Sequence, residues 1–446
     1  MILKTLRLKN FRRFENLSID FHEQLTVIVA RNGQGKTTVL DAATVALGTF
    51  VGAFDLGKNR GIDRSDAHYV RTTGRLSNEQ HYPVEVGADF SEPNMTILRQ
   101  LMGAKNKTTI KDASTLTEYG KHLQVLMREL SDDPLPVIAY YGTGRLWKAH
   151  KDMSRKAVLS ESRSMGYEDC LSSASSFVQV QQWMAKATLG VWQQEKISGY
   201  EHSTLPAQLE NIQQTVNSLL AEEEWDNFHY SSQHEELAMY HPDHGILPVS
   251  LLSDGVRAMI SLAVDLAWRC TKLNPQFGRE ASVKSPGIVM IDEVDMHLHP
   301  QWQQRVVTSL RKAFPNIQFI VTTHSPQVLS TVPAKCIRSL QSEMDADSSE
   351  VRMVVETPTA QTQGVPSADI LAVVQHVDPV PDVPPARWLS EYKALIQQYL
   401  HESETGVELR QKLDQHFGRE HSVMLECERL IRLMAMKKKL PTAKVG

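Results

Sequence analysis

A chain of 446 residues is longer than one hydrophobic core usually holds, so two or three packed units are expected. Its 41% apolar and 22% charged residues exclude a wholly disordered chain and a collagen-like repeat. With 48 basic against 52 acidic residues the net charge is −4, so bulk electrostatics do not point to nucleic acid, although a local basic groove is compatible with it.

No apolar stretch reaches the roughly 18 residues of a membrane span, because even Ala258–Trp268 is interrupted by Asp265. The opening residues alternate apolar and charged side chains, where a signal peptide needs a basic lead and an unbroken apolar block. A cytoplasmic protein without membrane association is expected. Cys170, Cys270, Cys336 and Cys427 form no Cys-x-x-Cys pair, which predicts reduced, structural thiols.

In chain order, Leu3–Lys9 and Leu17–Phe21 alternate as strands, and Leu25–Ala30 is a continuous apolar run suited to the middle of a sheet. A glycine-rich turn follows, then helical spacing over Thr37–Phe50. Pro83–Phe90 and Met95–Leu101 read as short strands, and Leu135–Tyr141 as a buried strand ending at Gly142-Thr-Gly-Arg145. The spacing predicts helices over Glu168–Gly190 and Leu205–Glu224, the second with a stripe of Leu209, Ile212, Val216 and Leu219, and no heptads of a long coiled coil. A strand, turn and helix are predicted over Leu247–Arg269, a strand at Ile288–Ile291, a helix at Gln301–Ala313 and a strand at Ile317–Thr322. After a proline-rich joint at Pro379–Pro385 come three helices, Trp388–His401, Val407–Phe417 and Ser422–Lys439.

The run Ala30-Arg31-Asn32-Gly33-Gln34-Gly35-Lys36-Thr37-Thr38 fits the phosphate-loop pattern with alanine at the first glycine position. Gly33 and Gly35 let the backbone aim N–H groups at phosphate oxygens, and the following helix N-terminus adds positive potential. Lys36 would reach the β/γ-phosphates of ATP and Thr37 would ligate Mg2+. Alanine is tolerable at position 30 if its φ stays negative. Gly287-Ile-Val-Met-Ile-Asp292-Glu293 places two acids at the end of a buried strand. Asp292 would hold Mg2+ through water, and Glu293 would polarise the attacking water as general base.

Leu252-Ser253-Asp254-Gly255 before a helix, the acidic strand, the Asp295-Met-His297-Leu-His299-Pro300 stretch and Val321-Thr-Thr-His324 follow in an order that resembles ABC-type ATPases of the structural-maintenance, RecF and OLD lineage. The resemblance implies an α/β ABC-type ATPase head with a mixed sheet, flanking helices, a helical insertion and a small C-terminal helical region. It makes Leu252–Gly255 the signature motif, whose Ser253 and Gly255 cap the γ-phosphate of a nucleotide on another protomer's Lys36, so that ATP bridges heads in a homodimer or higher oligomer. It makes His324 the γ-phosphate sensor and sets Arg12, within Asn10-Phe11-Arg12-Arg13-Phe14, at the adenine and phosphate edge. Two alternatives stay open: an exposed basic turn at Arg12, and a metal site from His297, His299 and Asp295. No glutamine loop is evident. Leu135–Arg145 occupies its place, and Arg145 is either a phosphate or interface contact or a surface ion pair.

Four regions are expected: an N-terminal ATPase lobe over 1–150, a mostly helical insertion over 151–246, a C-terminal ATPase lobe over 247–360 and a helical partner-docking region over 361–446. Glu343, Asp345, Asp347 and Glu350 crowd one loop, and His416 and His421 lack metal partners, so no nuclease centre is expected in this chain. Glu356–Gly364, Ser367–Leu371, Leu409–Gly418 and Tyr140–Arg145 resemble the PtuA-type ATPases of Septu and retron-linked anti-phage systems. That family implies docking of a separately encoded PtuB-like HNH nuclease on the C-terminal helices, nucleic acid as the target, and a retron reverse transcriptase with its RNA or DNA as a further partner. The rival expectation is a RecF-like, ATP-dependent DNA clamp with no nuclease.

Overall fold

The computed structural model describes residues 1–71, 78–144, 162–173, 177–194, 203–344 and 351–439. Its centre is a six-stranded sheet built from the apolar runs of the sequence. The order is Val351–Glu356, Ile337–Met344, Leu25–Val29, Ile317–Thr323, Gly287–Ile291 and Val137–Tyr141. All neighbours are parallel except the first pair. Four of these strands are buried along their whole length, as expected of parallel strands covered on both faces.

A second, antiparallel sheet runs Phe14–Asp20, Ile2–Phe11, Val84–Ser91, Met95–Leu101. The helix Lys36–Val51 packs against Val84–Ser91 and the helix Ser114–Arg128, and from Thr38 onward its residues are buried on every side. Gln318, 2% exposed on a core strand, accepts from the Leu3 amide at 2.9 Å and donates to the carbonyls of Leu3 and His22. One buried amide thus satisfies the end of the outer sheet from the inner one.

The insertion differs from the expectation. Region 151–246 carries two described helices, Phe177–Gln194 and Leu205–Leu220, but then an antiparallel meander of Asp226–Ser231, Glu236–His241 and Gly245–Pro248. Its turns use left-handed residues, including Glu235 and Gly245, and its strands mix His, Tyr and Glu with the buried Phe228, Leu237, Ala238 and Met239. Glu168–Ser173 forms turns rather than the start of a helix, and the helix Ser114–Arg128 was not expected. The predicted helix Gln301–Ala313 is split into Pro300–Gln303 and Val306–Ala313.

Contacts divide the chain into Met1–Ile370 and Leu371–Gly446. In the second unit the helices Pro384–Gln397, Glu404–Phe417 and Ser422–Lys439 close over Tyr392, Ile396, Leu409, Leu413, Met424 and Cys427. All four cysteines are free and buried. Among the described residues no helix is long and apolar enough to cross a membrane.

Candidate nucleotide site

The strand Leu25–Val29 delivers the chain to Ala30, and the loop then turns through Gly33 at φ +74° and Gly35 at φ +98°, the left-handed region that favours glycine. At Gly35 a Cβ would also lie 2.4 Å from Phe14 Cζ, so that ring closes the loop from beneath. Ala30 is not among the left-handed residues, which is why alanine suffices there. Its carbonyl accepts from Lys36 Nζ at 3.1 Å. The helix beginning at Lys36 has no side-chain cap, leaving its first amides directed at the loop. Asn32, Gly33 and Thr37 are exposed, whereas Thr38 is buried.

Asp292 ends the strand Gly287–Ile291 and is 2% exposed. Its Oδ2 accepts from Thr37 Oγ1 at 2.8 Å and its Oδ1 from Thr322 Oγ1 at 2.6 Å. Thr322 Oγ1 in turn accepts from the Glu293 amide at 2.8 Å, and Glu293 has φ +49°. A single hydroxyl on the neighbouring strand therefore orients both acids. Next to it Thr323 donates to Asp295 at 2.5 Å.

Lys36 Nζ lies 2.5 Å from His324 Nε2. Burial pushes the Lys36 ammonium down, against the upward pull of Asp292, Glu293 and Asp295. Burial, and then the charge of Lys36, lowers His324, which disfavours the imidazolium form beside Lys36. The structure thus brings Lys36, Thr37, Asp292, Glu293 and His324 to one end of the parallel sheet.

The adjacent oxygens of Thr37 and Asp292 form a hard donor pair that fits Mg2+. Among the described residues no three His, Cys, Asp or Glu side chains converge on a metal position. An ion held by Thr37 and Asp292 would take its other ligands from water and phosphate. His297, His299 and Asp295 likewise form no such group. His299 Nδ1 accepts from the Gln301 amide as a helix cap, His297 is exposed at φ +63°, and Asp295 is held by Thr323.

Ser253 caps the helix Asp254–Leu273, its exposed side chain accepting from the Val256 amide at 3.5 Å. A Cβ on Gly255 would sit 2.7 Å from the His297 carbonyl oxygen. Glycine is required there because the backbone of the Asp295–Pro300 loop rests on the start of this helix.

The model of the RecF/RecN/SMC N-terminal domain family matches residues 2–346, most of the chain. The chain belongs to this family. This RecF/RecN/SMC-family chain is 25% identical to the Retron Vc95 probable ATPase of Vibrio cholerae, over 89% of itself and 82% of that protein. It is 26% identical to the Retron Ec83 probable ATPase of Escherichia coli, over 94% of itself and 85% of that protein. Over 75 residues, 17% of this chain and 10% of that protein, it is 45% identical to the Septu protein PtuA of Bacillus mycoides.

The RecF/RecN/SMC-family chain departs from the sequence reading at Arg12. That residue has φ +49°, and its guanidinium pairs with Asp41 at 2.6 Å and Asp66 at 2.7 Å, so it is neither an unpaired basic turn nor bonded to the loop. Arg60 binds the other oxygen of Asp41 at 2.8 Å. The arginine at the loop is Arg13, which donates to the Gly33 carbonyl at 2.6 Å. Arg145 lies outside the described residues, as do Asp345, Asp347 and Glu350. Thr322 and Arg13 were missed as site residues. The Thr-Thr-His run and the Arg-Arg pair were the only signals for them.

Proposed function

We propose that this chain is the ATP-hydrolysing subunit of an anti-phage defence assembly, and that it controls a separately encoded HNH nuclease acting on nucleic acid. The observation that carries the reading is the convergence of Lys36, Thr37, Asp292, Glu293 and His324 on one glycine-lined loop. Lys36 binds the β- and γ-phosphates, with the loop amides from Asn32 to Thr38 cradling them. Thr37 and Asp292 hold Mg2+, which when bound neutralises phosphate charge. Glu293, oriented through Thr322, polarises the attacking water, and His324 reads the γ-phosphate. Exposed Ser253, with Gly255, completes the site of a second copy.

The defence role is supported by the retron ATPases, whose similarity extends over most of both chains, and by the Septu protein PtuA. The C-terminal unit Leu371–Gly446, with a core of its own, is the nuclease-docking part. A retron reverse transcriptase with its RNA or DNA is a further partner of the assembly. Coupling requires that ATP bind two assembly states with different affinity.

The test is to purify the chain with the products of its neighbouring genes and measure mass by size-exclusion chromatography with light scattering, with and without Mg-ATP. Co-elution with a small nuclease, in an assembly that changes with ATP and no longer does so in Lys36→Ala, is expected. An ATP-dependent dimer with no nuclease, binding DNA with a steep salt dependence, would overturn it in favour of a clamp.

A further inference from the structure

The helix Asp254–Leu273 is buried over most of its length, yet carries a charged pair in its middle. Asp265 is 0% and Arg269 3% exposed, one turn apart, with Arg269 Nε 2.8 Å from Asp265 Oδ2. A buried ion pair is a poor source of stability, since apolar residues of similar volume often serve as well or better. Its presence asks for another role, and its bonds indicate one.

Asp265 Oδ2 also accepts from the Tyr141 hydroxyl at 2.6 Å, while Asp265 Oδ1 has no hydrogen-bond partner among the described residues. The carboxylate is therefore held through one oxygen, which Tyr141 and Arg269 share. Tyr141 ends the strand Val137–Tyr141, and its own carbonyl accepts from the Asp292 amide at 2.8 Å. One residue thus holds the middle of the signature helix with its side chain and the acidic strand end with its backbone.

Arg269 fastens the remaining side. It donates to the carbonyls of Gly166 at 2.8 Å and Glu168 at 3.1 Å. The segment they begin runs beside the same strand, where Cys170 and Ser173 accept from the amides of Tyr140 and Gly142. At Gly166 a Cβ would stand 2.5 Å from Leu273 Cγ, so this segment is pressed against the end of the helix as well. From Ser253 to Asp265 the helix is a rod of about 18 Å.

We infer that Tyr141 and the Asp265–Arg269 pair form a positioning relay within one head. Through it, engagement of Ser253 by a nucleotide on a second copy adjusts the placement of Asp292 and Glu293 in the first. The inference rests on the ATPase reading above and adds the route by which two composite sites communicate. Tyr141 is a positioning residue: it reaches the site through Asp292 and the strand end.

Tyr141→Phe removes only the hydroxyl and is measured in the full chain by steady-state ATP hydrolysis. We expect KM for ATP to stay within about twofold of wild type, while kcat falls by about fivefold or more and the Hill coefficient moves towards unity. Asp265→Asn, which keeps an acceptor for Tyr141 but removes the charge facing Arg269, should lie between Tyr141→Phe and wild type. It also serves as the readout if Tyr141→Phe fails to fold. Wild-type kcat and cooperativity in both variants would overturn the relay even if melting temperature fell, because a purely structural role predicts that outcome. A parallel loss of nucleotide affinity would overturn it too. If wild type shows no hydrolysis that depends on Lys36, the ATPase reading itself fails and the relay with it.

Discussion

At the phosphate loop the functional groups are already partnered inside the chain. Lys36 is bonded to Ala30 and His324, Thr37 to Asp292, and Asp292 to Thr322. At the signature end, Ser253 is exposed and its hydroxyl makes one long bond, to an amide of its own helix. At the loop the side chains hold one another in place, so a ligand there would meet a largely fixed arrangement. The signature end presents a helix start and a serine to whatever is brought to it. If that contrast is functional, nucleotide binding and nucleotide turnover must separate by mutation, with binding governed by the loop and turnover needing both ends.

Lys36→Ala should have the largest effect, since it removes a buried cation aimed at the loop. A loss of hydrolysis on the order of 10²- to 10³-fold is expected, together with loss of nucleotide binding in a fluorescence titration. Retained affinity would mean that the loop does not hold phosphate. Glu293→Gln should lower turnover on the order of 10²- to 10⁴-fold while leaving binding intact. Light scattering should then show an ATP-bound dimer that persists. Wild-type turnover in this variant would remove Glu293 from the role of base.

The contrast between the two ends also explains what could be read from sequence. The loop 30–38, the strand Gly287–Ile291 with its acids and the Thr-Thr-His strand end are short, contiguous signals whose chemistry depends on adjacent residues. Their meeting follows from parallel pairing of Ile291 with Val321 and of Thr323 with Val29. Arg12 and Arg13 could not be told apart, because the left-handed backbone at Arg12 decides which guanidinium turns to Asp41 and which to Gly33. The shared role of Thr322 needs the strand register, and the bond from Tyr141 to Asp265 spans 124 residues of sequence. The meander over 226–248 was hidden because its strands are short and only partly buried, so no period-two apolar pattern marks them.

Gly255→Ala tests the signature end at its backbone. The added methyl would stand 2.7 Å from the His297 carbonyl, and relief by movement of that loop or of the helix should cost about 1–3 kcal/mol. Nucleotide binding should persist, because the phosphate loop is untouched, while turnover falls by about tenfold, the equivalent of roughly 1.4 kcal/mol in the barrier. A variant with wild-type turnover would show that the helix start plays no part in hydrolysis.

The smallest effect on turnover is expected from the C-terminal unit, where Leu413→Ala opens a cavity. Leu413 is 0% exposed in a core with Ile396, Met424 and Cys427, so the truncation should destabilise that unit by about 2–5 kcal/mol. Its core is separate from that of Met1–Ile370, and none of Lys36, Asp292, Glu293 or Ser253 lies in it. ATP hydrolysis should therefore remain within about twofold of wild type, while thermal unfolding gains an early transition and co-elution with the nuclease is lost. A matching fall in turnover would show that the two units are energetically coupled, and that the phosphate-loop end is less self-sufficient than its internal bonds imply.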